Sequence, residues 1–267
     1  METTKNVLIT GGTCGIGREL ARLFAKDGYN IVLAARSQHE LERTARELRE
    51  THPIQVLTIS KNLFEPYAAF ELYDEICSRN INIDVLVNNA GQGEYGEFVK
   101  TDLNKELDII QLNISSLVSL TKFFLRDMVQ RGDGKILNLS SVASKTPGPW
   151  QAVYHGTKAF VQSFTEAVRE EVKDTGVTVT ALLPGATDTD FFRKANMERS
   201  KVLEDRSKLA DPAAVAKDGY DALMSGKDMV VSGFNNKKDV FLGAFTPDAK
   251  LAKQTAKMQE PVDIEEK

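Results

Sequence analysis

The sequence predicts an α/β fold in which parallel strands alternate with helices. Short runs of β-branched and other apolar residues alternate with amphipathic segments along most of the 267 residues. The first apolar run ends in a glycine-rich turn that leads directly into a helical pattern. Strand–helix repeats of this kind favour right-handed crossovers and therefore a parallel sheet. Because no linker, composition break or internal repeat divides the chain, we expect one domain over residues 1–267.

Seven apolar runs predict seven strands, at residues 6–10, 31–35, 54–59, 83–87, 135–140, 177–183 and 229–231. Helical spacing predicts helices at 18–26, 39–50, 66–79, 102–131, 150–173 and 212–224, with an interruption near Asn113. Residues 186–208 are charged and poor in β-branched residues, so we expect either a lid over a substrate site or a surface helical excursion. The polar segment 246–267 is expected to form a frayed, flexible tail.

Composition narrows the functional classes. The chain has 34 Lys and Arg against 38 Asp and Glu, a formal net charge of -4, which gives no electrostatic basis for nucleic-acid binding. Cys14 and Cys77 lack metal-ligand spacing and indicate a reduced compartment, so we expect no metal site. No apolar run reaches membrane-spanning length, and the N-terminus does not resemble a signal peptide. We therefore expect a soluble cytoplasmic protein with no membrane partner.

A glycine-rich turn lies between the first predicted strand and the first predicted helix, where residues 10–17 read TGGTCGIG. The free N–H groups and the dipole at a helix N-terminus attract a phosphate. Gly11, Gly15 and Gly17 do not have the G-x-G-x-x-G spacing of the common dinucleotide fingerprint. Residues 10–17 therefore have two interpretations, a binding site for a nucleotide phosphate and a simple glycine turn.

The second predicted strand is followed by Arg36 and Ser37. In a dinucleotide-binding fold the end of this strand faces the adenosine ribose, where an acidic residue binds the 2′-hydroxyl and an arginine accommodates a 2′-phosphate. This chain has no acid there, and the Arg36 guanidinium offers a two-pronged donor to a phosphate. The pattern favours NADP(H) over NAD(H). The alternative is an ordinary solvated arginine at the start of the next helix.

Tyr154 and Lys158 lie four residues apart in a predicted helix, and therefore on one face of it. A phenol has an ordinary pKa of about 10, and a neighbouring ammonium lowers that pKa because it stabilises the phenolate. Ser141 directly follows the fifth predicted strand, and from there it can reach into a cleft and hydrogen-bond a substrate oxygen. Together the residues predict that Ser141 polarises a carbonyl, Tyr154 moves a proton and Lys158 tunes Tyr154.

Several further positions have two interpretations each. The small residues Ala90 and Gly91 either admit a flat ligand or form a tight turn. Asn113, in an apolar stretch, is either structural or holds a water. Trp150 is either a pocket wall or a core filler. His155 points off the face of the proposed acid–base pair, which favours a core or surface position over a catalytic one.

Four motifs in order resemble those of the short-chain dehydrogenase/reductase family, classical type, over nearly the whole chain, from Lys5 to about Gly233. The motif T-G-x-x-x-G-x-G matches residues 10–17, and N-N-A-G matches residues 88–91. A serine followed by Y-x-x-x-K matches residues 141, 154 and 158, and a Pro-Gly turn with a later threonine matches residues 184, 185 and 189. The Y-x-x-x-K pattern alone is weak, whereas four motifs on their expected elements are specific.

The resemblance implies a three-layer Rossmann-type fold with a doubly wound sheet of about seven strands in the order 3-2-1-4-5-6-7. It implies a catalytic set of Asn113, Ser141, Tyr154 and Lys158, in which Tyr154 is the general acid/base, Lys158 also bonds the nicotinamide ribose and Asn113 helps to hold a relay water. The implied cofactor-binding residues are Gly11, Thr13, Cys14, Gly15, Ile16, Gly17, Arg36, Ser37, Asn62, Leu63, Asn89, Ala90, Gly91, Tyr154, Lys158, Pro184, Gly185, Thr187 and Thr189.

Two implications concern cofactor preference and assembly. Arg36 and Ser37 are similar to the 2′-phosphate pair of NADP-preferring members of the family. Cys14 stands where many such members place a basic residue, which weakens the NADP(H) prediction. Members often form dimers or tetramers through helices in the middle of the chain. We therefore expect a homodimer or homotetramer, with the long helix from Asp102 and the Tyr154 helix as candidate contacts.

The leading functional prediction is NADPH-dependent reduction of a ketone or aldehyde, with a small-molecule carbonyl or alcohol as substrate. Oxidation of a secondary alcohol with NADP+ uses the same residues, so the sequence does not set the direction. A catalytically silent nucleotide-binding regulatory protein is the alternative from another class, and the complete catalytic set argues against it. A sugar epimerase is disfavoured because the segment after Pro184 is too short for a nucleotide-sugar domain.

Overall fold

The computed structural model describes residues 4–262, and within them seven parallel strands form one sheet. The strands are β1 (Asn6–Thr10), β2 (Asn30–Ala35), β3 (Val56–Ser60), β4 (Val85–Asn88), β5 (Gly134–Leu139), β6 (Val177–Leu183) and β7 (Met229–Val231). Their order, β3-β2-β1-β4-β5-β6-β7, confirms the predicted one. The direction of the winding reverses between β1 and β4, and ligands of open parallel sheets bind at the carboxyl ends of the strands at such a point.

Helices cover both faces of the sheet. They are α1 (Gly15–Lys26), α2 (Gln38–Thr51), α3 (Ala68–Ser78), α4 (Leu103–Ile110), α5 (Leu117–Arg131), α6 (Ala152–Glu171), α7 (Phe191–Lys194), α8 (Pro212–Met224), α9 (Phe234–Gly243) and α10 (Asp248–Gln259). One buried apolar cluster joins α1, α2 and α8 to the sheet, and a second joins α3, α5 and α6 to it. The three-layer, doubly wound arrangement is therefore confirmed.

Local sequence explains the most regular elements. Val7, Leu8 and Ile9 in β1 are fully buried, as expected for a central strand that is covered on both faces. Helix α8 begins at Pro212, whose fixed φ suits the first turn, and the Asp211 carboxylate accepts a hydrogen bond from the backbone N–H of Ala213 at 3.0 Å. For the buried strands and for the starts of the capped helices, the predicted bounds therefore lie within one or two residues of the observed ones.

The helical region between α4 and α5 contains a π-helical turn at Gln111–Ser116. Asn113 lies in this turn, so the predicted interruption is confirmed. Single π turns inside helices are rare and occur often at functional sites. Helix α6 begins two residues later than predicted, because Trp150 has a left-handed φ of 71° and cannot continue a right-handed helix.

The C-terminal region departs most from expectation. Residues 248–259 of the predicted tail form α10, while residues 263–267 lie outside the described part of the chain. Leu251, Thr255 and Gln259 recur every four residues and are buried. The backbone oxygen of Gln259 accepts hydrogen bonds from the hydroxyls of Tyr95 and Ser200. Helix α9 was not predicted.

Residues 186–208 contain α7 and two single 3-10 turns, Lys201–Leu203 and Arg206–Lys208. Phe192, Ala195 and Met197 from this segment form a small buried cluster of their own. The segment is thus a compact excursion from the end of β6. We call residues 186–208 the lid segment, after the first of the two interpretations that the sequence allows for them.

No helix in the described range 4–262 is both long enough and apolar enough to cross a bilayer. Large apolar side chains are nevertheless exposed on several helices, α4 and α9 among them. Leu103 and Leu107 project from α4, and Phe234, Phe241 and Leu242 project from α9. Such exposed apolar side chains are candidates for contacts with other molecules.

Candidate active site

A cavity of about 1690 Å³ runs along the carboxyl edge of the sheet. Loops after β1, β2, β4, β5 and β6 all contribute to its wall, from Arg36 at one end to Tyr154 at the other. The sheet topology places these loops together, because the carboxyl ends of parallel strands meet at one edge. No three His, Cys, Asp or Glu side chains come together as a possible metal site anywhere in residues 4–262.

All but four of the residues predicted for catalysis or cofactor binding line this cavity. The four exceptions are Gly15, Gly17, Asn62 and Asn113. The Asn62 side chain donates instead to Glu65 Oε1 at 3.1 Å, at an exposed position. The two glycines and Asn113 do not line the cavity but contact residues that do.

The glycine-rich turn after β1 is packed so closely that its glycine positions have no room for a side chain. A Cβ at Gly17 would lie 2.4 Å from both Asn89 Nδ2 and the Gly11 backbone oxygen. Gly11 has a left-handed φ of 66°. The Asn89 amide donates to the backbone oxygens of Thr10 and Gly11, both at 2.9 Å, and so ties the turn to the end of β4. Gly17 is therefore required for packing rather than for direct contact with a ligand.

The N-terminus of α1 opens into the same cavity. Cys14 is its N-cap, lines the cavity and makes no side-chain capping hydrogen bond. The first N–H groups of a helix have no partner within the helix, and together with the helix dipole they form a site for an anion. The turn and helix start therefore fit the diphosphate of a dinucleotide.

Two residues of the lid segment contact this phosphate-binding turn. A Cβ at Gly15 would lie 2.8 Å from Thr189 Cγ2, so Thr189 packs directly on the turn. Lys194 Nζ lies 3.8 Å from Cys14 Sγ. A residue 180 positions further along the chain thus places a positive charge beside the start of α1.

The opposite end of the cavity carries the residues predicted to select NADP(H). Arg36 is exposed, and its guanidinium carbon lies 4.9 Å from the centre of the Phe64 ring, a cation–π contact that orients the side chain. Ser37 caps α2 by accepting from the backbone N–H of Glu40 at 3.3 Å. Lys61 also lines this end. The sequence singled out Asn62 and Leu63 on this loop after β3, but not their neighbours Lys61 and Phe64.

Ser141, Tyr154 and Lys158 line the other end of the cavity. Ser141 Oγ accepts from the backbone N–H of Ala143 at 3.1 Å and donates to the Pro184 backbone oxygen at 3.3 Å. Lys158 is buried, and its Nζ donates to the Leu139 backbone oxygen at 2.8 Å. The same Nζ lies 5.8 Å from the centre of the Tyr154 ring. The predicted serine, phenol and ammonium are therefore brought together by β5, the loop after it and α6.

Burial shifts both titratable groups of this set. It raises the pKa of Tyr154 to about 12, although a hydrogen bond with Ser141 opposes the shift. Burial lowers the pKa of Lys158 to about 8, since a charged ammonium loses its hydration. The pKa of Tyr154 is thus raised, whereas the sequence predicted that it would be lowered. The reason is that the Lys158 ammonium is bonded to a backbone oxygen and lies over the ring, where it does not offset the desolvation of the phenolate.

Asn113 braces the loop that follows β4 against the helix that carries Tyr154. Its Nδ2 donates to the Gln92 backbone oxygen and to Thr157 Oγ1, both at 2.9 Å, and its Oδ1 accepts from the Gln92 N–H at 3.0 Å. A Cβ at Gly91 would lie 3.3 Å from Asn113 Oδ1 and 3.2 Å from Lys158 Nζ. The structural interpretation of Asn113 is therefore supported by contacts, and one lone pair of Oδ1 is left for a water.

Three aromatic residues near Tyr154 have different surroundings. Phe191 of α7 covers Tyr154, with 5.1 Å between ring centres. Trp150 stacks on Tyr95 and does not line the cavity, so it is not a pocket wall. His155 is buried, and its Nδ1 lies 2.8 Å from the Thr146 backbone oxygen while its Nε2 lies 3.2 Å from Gln259 Nε2. The non-catalytic interpretation of His155 thus agrees with its contacts.

Several known proteins are similar in sequence to this chain. A family model described as short chain dehydrogenase matches residues 5–200. Dehydrogenase/reductase SDR family member 7B of Danio rerio is 29% identical over 256 residues, which cover 94% of this chain and 81% of that protein. Very-long-chain 3-oxoacyl-CoA reductase of Bos taurus is 38% identical over 183 residues, or 66% of this chain and 57% of the reductase. The matched part is thus little more than half of that reductase.

Solved structures agree with the sequence matches. A short-chain dehydrogenase from Sphingobium yanoikuyae in complex with NADPH aligns with a TM-score of 0.80 and 27% identity, over 90% of this chain and 93% of that chain. The L-sorbose reductase from Gluconobacter frateurii, complexed with NADPH and L-sorbose, aligns with a TM-score of 0.75 and 25% identity, over 86% and 96% of the two chains.

Proposed function

The chain belongs to the short-chain dehydrogenase family, and from this membership we propose that it is an NADPH-dependent oxidoreductase that reduces a ketone or aldehyde carbonyl. One observation carries the proposal. A single cavity joins an arginine suited to a 2′-phosphate, a glycine-rich helix start suited to a diphosphate, and a serine–tyrosine–lysine set suited to proton transfer. NADP+-dependent oxidation of a secondary alcohol is the reverse of the same reaction.

The residues present fit a dinucleotide with a 2′-phosphate. Arg36, held over Phe64, would bind that phosphate, with Lys61 beside it. The N-terminus of α1 would hold the diphosphate, with Lys194 adding a positive charge. Lys158 would donate to the ribose next to the nicotinamide. The cofactor would supply the hydride, and the solved complexes of similar proteins with NADPH support this choice.

The protein's own contribution to the chemistry is charge stabilisation and proton delivery. Ser141 and Tyr154 would donate hydrogen bonds to the carbonyl oxygen, where negative charge develops, and each such donor contributes about 3 kcal/mol to transition-state stabilisation. Because the pKa of Tyr154 is about 12, its hydroxyl is protonated at neutral pH and ready to act as an acid. Asn113 keeps the Gly91–Gln92 backbone in place beside Lys158.

We also propose that residues 186–208 act as a lid within a single domain. Phe191 covers Tyr154, and Thr189 and Lys194 contact the phosphate-binding turn, so one short segment touches both ends of the proposed reaction site. Closure of such a segment excludes water from the reacting groups.

We further propose that the protein forms a homodimer or homotetramer through α4, α5 and α6, where Leu103, Leu107 and Phe160 are exposed. We also propose a cytoplasmic location.

The proposal is tested by the consumption of NADPH with a panel of ketones, aldehydes, sugars and acyl thioesters. We expect at least one carbonyl class to be reduced, and the similarity to a 3-oxoacyl-CoA reductase and an L-sorbose reductase supports carbonyl substrates in general. A protein that binds NADPH tightly but reduces nothing in the panel would instead favour a silent nucleotide-binding protein.

The pKa values of the site predict the pH dependence of the reaction. Lys158 carries its charge below about pH 8 and loses it above, whereas Tyr154 keeps its proton up to about pH 12. The pH dependence of kcat/KM reports the pKa values of groups in the free enzyme. We therefore expect log(kcat/KM) for NADPH to decline above about pH 8, by one unit for each pH unit. In Lys158→Arg, which keeps its charge, the decline should move to higher pH. A wild-type profile that stays flat well above pH 8 contradicts this assignment.

Lys194 gives a separate prediction about the diphosphate. Because it lies against the helix start and not near Arg36, we expect Lys194→Ala to raise the Kd of NADPH and of NADH by the same factor, about three- to tenfold. Lys208→Ala is a matched control, since Lys208 belongs to the same segment, pairs with Asp205 and does not line the cavity. If Lys194→Ala raises the Kd of NADPH and the Kd of NADH by different factors, the Lys194 ammonium does not act on the diphosphate.

A further inference from the structure

Helix α9 has no buried residue in the described part of the chain, although it carries large apolar side chains. Phe234 is 81% exposed and Phe241 is 66% exposed. Phe245, two residues beyond the end of the helix, is 77% exposed, and its ring lies edge to face against that of Phe241 with 5.4 Å between ring centres. Three phenylalanines exposed on one short segment are unfavourable in water, so this surface indicates contact with another molecule.

Two lysines share the exposed face of α9 with the phenylalanines. Residues spaced by three and four positions project to the same side of a helix. This spacing groups Phe234, Lys237, Lys238, Phe241 and Phe245, which we call the α9 patch. The opposite side of the helix faces the protein, where Val240 packs against a small buried cluster and Asp239, the one acid of α9, lines the cavity. The α9 patch is therefore both apolar and basic.

An opening of the cavity adjoins the α9 patch. Leu242 lines the cavity and is exposed, and the same holds for Lys257 and Met258 on α10. Helix α10 packs on α9, since a Cβ at Gly243 would lie 3.9 Å from Leu251 Cδ2. Side chains that line the cavity and also face solvent mark its opening. A molecule that covers the α9 patch would therefore also lie at this opening.

The lysines of the α9 patch distinguish between the molecules that could cover it. In a symmetric contact between two copies centred on the patch, Lys237 and Lys238 would meet like charges, and lysine is depleted at the buried centre of protein interfaces. An anionic bilayer surface instead attracts lysines, and phenylalanine side chains insert at the boundary between headgroups and acyl chains. The long lysine side chains can keep their ammonium groups among the headgroups while the rings lie deeper.

We propose that the α9 patch docks the protein reversibly on an anionic lipid surface. Phe234, Phe241 and Phe245 insert at the interface, and Lys237 and Lys238 contact anionic headgroups. The sequence predicts no membrane partner because no apolar run is long enough to span a bilayer, but docking on the surface needs no such run. The proposal does not depend on the reaction that the protein catalyses. It places one opening of the cavity at the membrane surface.

The test measures co-sedimentation of the full-length protein with two kinds of vesicle. One contains phosphatidylcholine with about 30% phosphatidylserine, and the other contains phosphatidylcholine alone. Since each lysine near an anionic surface changes the affinity about fivefold, we expect the anionic vesicles to bind the protein at least about tenfold more tightly than the neutral ones. High salt should weaken this binding, because it screens the lysines.

Two double substitutions test the apolar and the basic part of the patch separately. Phe241→Ser/Phe245→Ser and Lys237→Gln/Lys238→Gln should each lower the affinity for the anionic vesicles at least about tenfold. None of the four residues lines the cavity. Substitutions at exposed positions change stability little, so an unchanged Tm shows that each variant is folded.

A third variant provides the matched control. Phe98 and Val99 are exposed in the loop after β4, far from α9 in sequence, and Phe98→Ser/Val99→Ser should bind the anionic vesicles like the wild type. Wild-type protein that does not bind the anionic vesicles, or that binds both kinds equally, overturns the proposal. Binding that survives both patch variants, or that falls equally in the control, does so as well. If Phe241→Ser/Phe245→Ser instead lowers the oligomeric mass measured by light scattering, a second copy covers the patch and the proposal is wrong.

Discussion

Replacing Tyr154 with phenylalanine is expected to lower kcat for carbonyl reduction by about 10³-fold while the Kd of NADPH stays within about twofold of its wild-type value. Tyr154 is the one tyrosine that lines the cavity in the described part of the chain, so no second phenol can replace it. The substitution removes only a hydroxyl and keeps the ring that packs against Phe191. Steady-state turnover and a fluorescence titration with NADPH measure the two quantities separately.

A second tyrosine provides the control for this experiment. The Tyr73 hydroxyl donates to Asp127 at 3.0 Å, and the residue does not line the cavity. Tyr73→Phe therefore also removes one hydrogen-bonded phenol hydroxyl from the fold, and we expect its kcat to stay within about twofold of wild type. Undiminished turnover in Tyr154→Phe, or an equal loss in both variants, would refute the role of Tyr154 as the acid.

The Arg36→Ala substitution is expected to raise KM for NADPH by about 10- to 100-fold and to leave KM for NADH nearly unchanged. The magnitude follows from the loss of charge-assisted hydrogen bonds, each of which contributes about 1.5–3 kcal/mol to binding. NADH lacks the 2′-phosphate that Arg36 is proposed to bind, so it loses nothing. The ratio of the two KM values is the measurement that isolates the phosphate.

The chain offers a matched control for this experiment as well. Arg43 is an exposed arginine on the next helix that pairs with Glu40 and does not line the cavity. Arg43→Ala should change neither KM. If Arg36→Ala affects NADPH and NADH equally, Arg36 does not bind the 2′-phosphate, and the preference for NADP(H) must come from another residue, such as Lys61.

Much of the fold and of the active site follows from short-range patterns. Each strand of a parallel sheet that is buried on both faces is a continuous apolar run, so the strands at 6–10 and 177–183 could be located directly. The residues of the serine–tyrosine–lysine set come from one strand end and one helix turn that are close in sequence. The glycine turn is likewise complete within eight residues.

Features that depend on distant contacts could not be predicted in this way. Lys194 reaches Cys14 only because the lid segment folds back over α1. Helix α10 is polar over most of its length, and three buried positions are enough to pack it. The pKa of Tyr154 is a third case: spacing placed an ammonium near a phenol, but it could not show that burial has the larger effect on the phenol. In each case the missing information was three-dimensional.

The central claim is that one cavity holds NADPH with its adenosine phosphate at Arg36 and its nicotinamide at Tyr154. A crystal structure of the protein with NADP+ tests it most directly. We predict hydrogen bonds from the Arg36 guanidinium to the 2′-phosphate, a diphosphate at the N-terminus of α1, and a nicotinamide ring beside the hydroxyl of Tyr154. A nucleotide bound outside this cavity, or one bound with its nicotinamide away from Tyr154, would contradict the account.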